Sequence, residues 1–394
     1  MNRTNRILVL NNIAPAGLDI FEGQMELGAG VSNPTAIIVR SAKVETNSYP
    51  DLVAVARAGA GVNNISVEQA TESGVCVYNT PGANANAVAE LVFTMLGVHF
   101  RKVPQALDFM KSVIGDDEKI SSRVEFQKSQ FSGFELAGKT LGVIGLGKIG
   151  VLVANAGVQK GMKVIGYDPF PTFANMHQLD PRVEVVRQME EVLPAADVLS
   201  VHVPFSAKTK HLIGAAQLAL VNPDCVLMNY ARDGIYDDAV VLEALKAGKA
   251  EAFITDFPTQ ALLGQDRVIC TPHLGASTAE SEENCAVMAA KQLKNYLEYG
   301  VVQNSVNFPT VEAFPAQTVR VRLTVVNKDV PNMIAEIAST IAAAGINIHK
   351  LVNESNGKIG YNLVDLEVDI DDATVDQIRR LPNVLKVRVL RFEK

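Results

Sequence analysis

The chain has 394 residues, enough for two or three domains. With 48% hydrophobic and 20% charged residues it reads as globular with a sizeable core, and its net charge of −7 excludes a general nucleic-acid binder, which needs a basic face. Its four scattered cysteines (Cys76, Cys225, Cys270, Cys285) form no CxxC pair and carry no metal signature, and the sequence shows neither a leader pattern nor an 18-residue apolar run, so a cytoplasmic protein with no membrane partner is expected.

From the start, short apolar runs alternate with helical stretches. Strands are expected at Ile7 to Leu10, Ala36 to Val39, Leu52 to Arg57 and Cys76 to Asn79, and a deeply packed helix at Asn86 to Phe100. Arg57 ends a strand, where open α/β sheets place ligands, and the turn Ala58-Gly59-Ala60-Gly61 behind it can offer successive backbone N–H groups to a carboxylate. An ordinary surface arginine beside a turn fits equally well. Asn84 and Asn86 either line the same region or start the helix, with capping favoured for Asn86. Residues 101–138 are more polar and include the run 116–119; a connecting helix and an arm are expected, with Arg123 and Lys128 on a solvated face.

Lys139 to Pro169 is the most informative stretch. A β-branched run, Thr140 to Ile144, leads into Gly145, Gly147 and Gly150 in G-x-G-x-x-G spacing, and a second run, Lys163 to Tyr167, ends on Asp168. Gly145 permits the tight turn, Gly147 lets a pyrophosphate approach the backbone, and Gly150 with Ala154 lets the helix close on the strand. The helix N-terminus suits phosphates, and Asp168, 21 residues past Gly147, suits ribose hydroxyls. An acid there would repel a 2′-phosphate, so NAD is favoured over NADP.

Further strands end in polar residues: Val198 to Val203 at His202-Val203-Pro204, Cys225 to Tyr230 at Ala231-Arg232, Phe253 to Thr255 at Asp256, and Val268 to Cys270 just before His273. An imidazole can exchange a hydroxyl proton while hydride leaves for a nicotinamide, and a guanidinium fork can grip a carboxylate. His273 and Arg232 are the candidates for these roles, against the plainer readings of a structural histidine and a surface ion pair. His202 and His211 support the fold or border the cofactor. After an amphipathic helix at about 280–300, residues 317–394 read as βαββαβ, a ferredoxin-like plan, with strands at Val319 to Val326, Ile346 to Val352, Tyr361 to Val368 and Val384 to Arg391. Such a sheet, with helices on one face, is expected to leave its other face or its edges free for pairing.

The segments VARAGAGVNNIS (Val55 to Ser66), YNTPGANANAVAEL (Tyr78 to Leu91), ELAGKTLGVIGLGKIG (Glu135 to Gly150), NYARDGIYDD (Asn229 to Asp238), TPHLGAST (Thr271 to Thr278) and SVNFP (Ser305 to Pro309) together resemble the D-2-hydroxyacid dehydrogenase family, in its form with a C-terminal ACT domain. The resemblance implies three parts: a flavodoxin-like substrate domain (1–100 and 289–310), a Rossmann-like NAD domain (101–288) and an ACT regulatory domain (317–394). It implies oxidation of a small phosphorylated 2-hydroxy acid, 3-phosphoglycerate, to 3-phosphohydroxypyruvate with NAD, the first step of L-serine biosynthesis, by a homodimer or homotetramer. Arg232 would orient the substrate and His273 serve as acid/base. Arg57 with Gly59, Ala60 and Gly61 would meet its acidic groups, and Lys128 would reach a neighbouring subunit's site. Lys148 and Ile149 would offer N–H groups to the pyrophosphate, Asp256 would contact the nicotinamide amide, and His202, Val203, Pro204, Ala231 and Gly275 would line the cofactor. Two departures stand out. Gln260 falls where the family carries a glutamate beside the catalytic histidine; an amide can orient His273 but cannot stabilise imidazolium by charge, so either another carboxylate, Glu280 or Glu282, serves instead or the pH profile is altered. Asp329-Val330-Pro331-Asn332 replaces the ACT Asp-x-Pro-Gly turn, which bears on an L-serine effector site formed with Asn347. Alternatives are another D-2-hydroxyacid dehydrogenase, of hydroxypyruvate or phosphoerythronate type, and an NAD-sensing scaffold with little turnover.

Overall fold

The computed structural model describes residues 5–21, 23, 25–115 and 120–392; the acidic run noted at 116–119 lies outside them. The chain divides into two compact units, Met1–Asn84 with Ala279–Lys394, and Ala85–Thr278.

In the first unit, β1 (Arg6–Leu10), β2 (Glu26–Gly28), β3 (Ala36–Val39), β4 (Ala54–Arg57) and β5 (Cys76–Tyr78) form a parallel sheet of order β2-β1-β3-β4-β5. This is the flavodoxin-like order. Successive residues alternate between two buried faces, as a two-sided parallel sheet requires. Ile7, Ile38, Ala56 and Tyr78 pack with Ala286, Ala289, Ala290 and Leu293 of the helix Ala279–Tyr299; Leu8, Ile37, Val55 and Val77 face a second cluster with Ile65 and Val75. Strand β4 begins at Ala54, two residues later than expected.

The second unit holds seven parallel strands: β6 (Thr140–Ile144), β7 (Lys163–Tyr167), β8 (Glu184–Val186), β9 (Val198–Val201), β10 (Val226–Asn229), β11 (Ala252–Thr255) and β12 (Val268–Cys270). Their order, β12-β11-β10-β9-β6-β7-β8, runs outward in both directions from β6, the doubly wound nucleotide-binding arrangement. The direction of winding reverses between β6 and β9, which pair directly, and such a switch point opens a crevice at the strands' C-terminal ends. The helix Ala85–Phe100, expected with the first domain, packs here instead: Val88, Val92, Met95 and Leu96 share a core with Val151, Val153, Ala154 and Val158 of the helix Lys148–Gln159. The arm expected in 101–138 contains the helices Val103–Ser112 and Ile120–Gln127, neither with a buried residue.

Residues 321–391 form the expected βαββαβ unit, with β13 (Val321–Lys328), β14 (Lys350–Ser355), β15 (Ile359–Leu366) and β16 (Val384–Arg391) in an antiparallel sheet of order β14-β15-β13-β16. One face carries the helices Met333–Ala343 and Asp372–Arg380 over Leu323, Val325 and Val364. The opposite face is not free. Val326, Ile359, Tyr361 and Leu363 join the core of the first sheet, Tyr361 Oη donates to the Gly300 carbonyl (2.7 Å), and Arg388 donates to the Tyr296 and Leu297 carbonyls at the helix end. The strand expected from Ile346 starts at Lys350, because Ile346 and Ile348 serve the core from a loop that follows the left-handed Gly345 (φ +73°). Among the described residues no helix is long and apolar enough to cross a membrane, and no group of His, Cys, Asp and Glu could hold a metal.

Candidate active site

The glycine turn follows β6 with each glycine under a different constraint. Gly145 has φ +92°, and a Cβ there would stand 2.7 Å from the His202 carbonyl after β9. A Cβ on Gly150 would run into the Gly145 carbonyl, so only glycine lets helix Lys148–Gln159 approach this closely. Gly147 caps the helix, and a Cβ built on it meets nothing within 4 Å. The first N–H groups of this helix belong to Lys148, Ile149 and Gly150. Asp168 ends β7 and bends back: its Oδ2 accepts from Leu146 N and its Oδ1 from Phe170 N, both at 2.8 Å. One carboxylate therefore ties the glycine turn to the end of β7.

His202 is buried, its Nε2 2.8 Å from Ser200 Oγ and its Nδ1 without a hydrogen-bond partner among the described residues. Burial pulls its pKa down to about 3, so it is neutral and unsuited to proton exchange at neutral pH. Val203 and Pro204 continue from it; Ala231 is buried. His211, the other histidine expected to support the fold, pairs with Asp237 at 3.2 Å.

Arg232 and His273 follow β10 and β12. Asn229 folds the β10 loop, accepting from Ala231 N and donating to the Arg232 carbonyl. The Arg232 guanidinium makes a single hydrogen bond among the described residues, Nη1 to the Ala231 carbonyl (2.7 Å). The side chain opens to solvent, while partial burial of its head draws its pKa below the ordinary arginine range. Asp256, expected at the nicotinamide amide, is buried and clamps the histidine loop: Oδ1 accepts from Thr271 Oγ1 (2.6 Å) and Leu274 N (2.7 Å), Oδ2 from Gly275 N (2.7 Å). His273 is held within that clamp at φ +56°, a left-handed conformation that non-glycine residues seldom adopt. Its ring meets Phe257 edge-on, with centroids 4.8 Å apart. Gln260 is exposed, and among the described residues no hydrogen bond joins it to His273.

In the first unit Arg57 folds over the turn behind β4. Its Nη1 donates to the Gly61 carbonyl (2.6 Å) and its Nε to the Arg40 carbonyl (3.0 Å), and a Cβ on Gly59 would stand 2.8 Å from Nη1. Asn79 Nδ2 donates to the Ala60 carbonyl. Arg40, overlooked in the sequence, directly follows β3, next to the strand end that Arg57 forms on β4; a basic residue just past an apolar run was the available signal. Arg40 pairs with Glu282 at 2.5 Å, which occupies one of the two carboxylates considered as partners for His273. Asn86 is not a cap: it lies inside the helix and donates to Glu90, whereas Asn84 Oδ1 is buried without a partner among the described residues. Lys128 pairs with Glu125 on the exposed arm. In the C-terminal domain Asn332 has φ +76° and preserves the turn for which glycine is usual; Asp329 accepts from Ser355 Oγ, and Asn347 is exposed.

Residues 103–275 match the family described as D-isomer specific 2-hydroxyacid dehydrogenase, NAD binding domain. Over 352 residues the chain is 32% identical to a D-3-phosphoglycerate dehydrogenase of Haemophilus influenzae, covering 86% of this chain and 82% of that protein. The chain belongs to the D-2-hydroxyacid dehydrogenase family. A D-3-phosphoglycerate dehydrogenase of Methanocaldococcus jannaschii is 36% identical over 327 residues, covering 78% of this chain but 60% of that protein, so the chain spans about three-fifths of that relative's length. Among solved structures, an NAD+-bound 3-phosphoglycerate dehydrogenase of Entamoeba histolytica superposes with a TM-score of 0.60 at 28% identity, over 77% of this chain and 99% of that one. A D-lactate dehydrogenase of Treponema pallidum gives 0.64 at 21% identity over 76% of this chain and 99% of that one, which speaks for the fold alone.

Proposed function

We propose that this chain oxidises 3-phospho-D-glycerate to 3-phosphohydroxypyruvate with NAD, the entry step of L-serine biosynthesis. The observation that carries the reading is the placement of Arg232 and His273 beyond β10 and β12, at the same sheet edge as the glycine turn of the β6/β9 switch point. NAD, when bound, supplies the hydride acceptor; Gly145 to Gly150 hold its pyrophosphate, Asp168 its ribose, and His202, Val203, Pro204, Ala231 and Gly275 border it. The chain's own part is to fix the substrate and move one proton. Arg232 orients the carboxylate and the carbon that becomes a ketone. The His273 imidazole takes the hydroxyl proton as the C–H bond yields its hydride. Arg57, Arg40 and the N–H groups of Ala60 and Gly61 form a cationic and dipolar set suited to a second acidic group, which favours a phosphorylated acid.

The three parts take the roles of substrate domain, NAD domain and ACT-type regulatory domain, with L-serine as effector at Asp329 and Asn347, in a cytoplasmic homodimer or homotetramer. The deciding experiment measures NADH formation with 3-phosphoglycerate beside 4-phosphoerythronate and unphosphorylated 2-hydroxy acids. Preference for 3-phosphoglycerate is expected. Turnover of an unphosphorylated acid alone would transfer the assignment to a hydroxypyruvate-type enzyme, and NAD binding without turnover on any of them would make the chain a sensing scaffold. A serine titration of activity and melting temperature tests the effector; no change in either leaves the C-terminal domain an assembly module.

A further inference from the structure

We infer that Phe257 is the positioning residue of His273, doing by aromatic contact what a carboxylate at position 260 would do by hydrogen bond; the inference rests on the dehydrogenase reading. The two rings meet at 4.8 Å and 61°, within the range of edge-to-face pairs. Gln260 has no hydrogen bond to the imidazole among the described residues. Phe257 is itself fixed from both sides. Its N–H donates to Thr255 Oγ1 at the end of β11 (3.1 Å), and Pro258 behind it restricts its backbone to extended conformations. One residue further, Thr259 Oγ1 donates to Asp238 Oδ2 (2.7 Å) at the start of the helix Asp238–Lys246. The neighbouring Asp256 meanwhile ties down Thr271, Leu274 and Gly275, so adjacent residues hold the two halves of the problem: Asp256 the loop backbone, Phe257 the ring. A histidine with a left-handed backbone needs both constraints, since fixing the loop alone leaves the imidazole free to rotate about its own side-chain torsions.

The test compares Phe257→Leu and Phe257→Met, which fill the space without a ring, with Phe257→Tyr, which restores one. The Leu and Met variants should lower kcat by about tenfold or more while KM and NADH affinity stay near wild type, because a misplaced acid/base slows the proton step rather than binding. Phe257→Tyr should recover most of kcat. In parallel, the imidazole C–H resonances of His273, assigned by their loss in His273→Gln, should move in the Leu and Met variants as the ring current disappears. Wild-type kcat together with unmoved His273 resonances in either folded variant overturns the proposal, as does failure of the Tyr variant to recover activity while it melts like wild type. The resonance measurement needs no turnover: if the wild-type chain oxidises no 2-hydroxy acid, the dehydrogenase reading falls while the ring contact is still decided on its own.

Discussion

Two arginines, one within a strand and one just past another, show how the same side chain is used in opposite ways. Arg322, in the middle of β13, is fully buried; its Nε and Nη2 take both oxygens of Asp365 at 2.6 and 2.8 Å, and its Nη1 takes the carbonyls of Tyr299 (2.8 Å) and Ala313 (2.6 Å). Arg232, beyond the end of β10, makes one hydrogen bond among the described residues, to its neighbour's carbonyl, and opens to solvent. A guanidinium whose donors are used within the chain is a fastener, here joining the C-terminal sheet to the segment that leads into it. One whose fork is left to solvent at the ligand edge of a doubly wound sheet is poised for an anion.

Substitution should separate the two on different measurements. Arg322→Ala leaves the Asp365 carboxylate buried without its partner, which typically costs about 3–5 kcal/mol. The expected result is a matching fall in unfolding free energy by denaturant titration, and a loss below about 1 kcal/mol would deny Arg322 its fastening role. Arg232→Ala should leave stability within about 0.5 kcal/mol of wild type, as for an exposed site. It should cost about 10²–10³-fold in kcat/KM on the phosphorylated substrate, the scale for removing one donor that stabilises developing charge. Equal stability losses in the two variants would dissolve the contrast.

Lys386 sharpens the comparison through pH. On β16 it donates to the Leu52 carbonyl, and burial, with Arg388 adding to it, lowers its pKa to about 8. The folded chain therefore holds fewer protons here than the unfolded chain between pH 8 and about 10.5. The penalty for charging Lys386 is fully present below pH 8 and is relieved as pH rises through that window, so this group makes folding more favourable with rising pH. Between pH 7 and 10 the wild type should gain up to about 3 kcal/mol on Lys386→Met. Parallel stability curves for the two proteins would show that this lysine titrates as if exposed.

The sequence disclosed most of the nucleotide unit because its rules are steric and local. Gly150 is required by the Gly145 carbonyl within the same turn, Gly145 by its own left-handed backbone, and Asp168 follows at a fixed distance. Arg232 and His273 were legible as polar residues just past apolar runs. What escaped depends on contacts distant in sequence. The docked face of the C-terminal sheet was read as free because the alternation of β13 identifies one apolar face, and nothing local reveals that Tyr361 meets Gly300 or that Arg388 meets the end of the preceding helix. Strands β2 and β8 are three-residue edges whose sequences, Glu26-Leu27-Gly28 and Glu184-Val185-Val186, carry too little periodicity to register. Asn332 looked like the loss of a glycine turn, yet asparagine tolerates the left-handed backbone and the turn survives. Asp256 was recognised as important, but its grip on Leu274 and Gly275 is a three-dimensional fact.

Gln260 offers the smallest expected effect and the finest test of where the histidine takes its support. A glutamate there would stabilise the imidazolium electrostatically, so His273 would keep its proton to higher pH. Hydroxyl oxidation needs the neutral imidazole as acceptor, and the rise of kcat with pH should therefore move to higher pH in Gln260→Glu. Position 260 is exposed, where solvent screens the pair, which limits the move to about one pH unit or less. The ketone-reducing direction, which needs the protonated ring, should hold its activity to correspondingly higher pH. Displacement of both profiles to higher pH would place residue 260 in electrostatic reach of His273. A profile that stays put in both directions would remove Gln260 from the catalytic account and leave the ring of Phe257 and the carboxylate of Asp256 as the supports this histidine has.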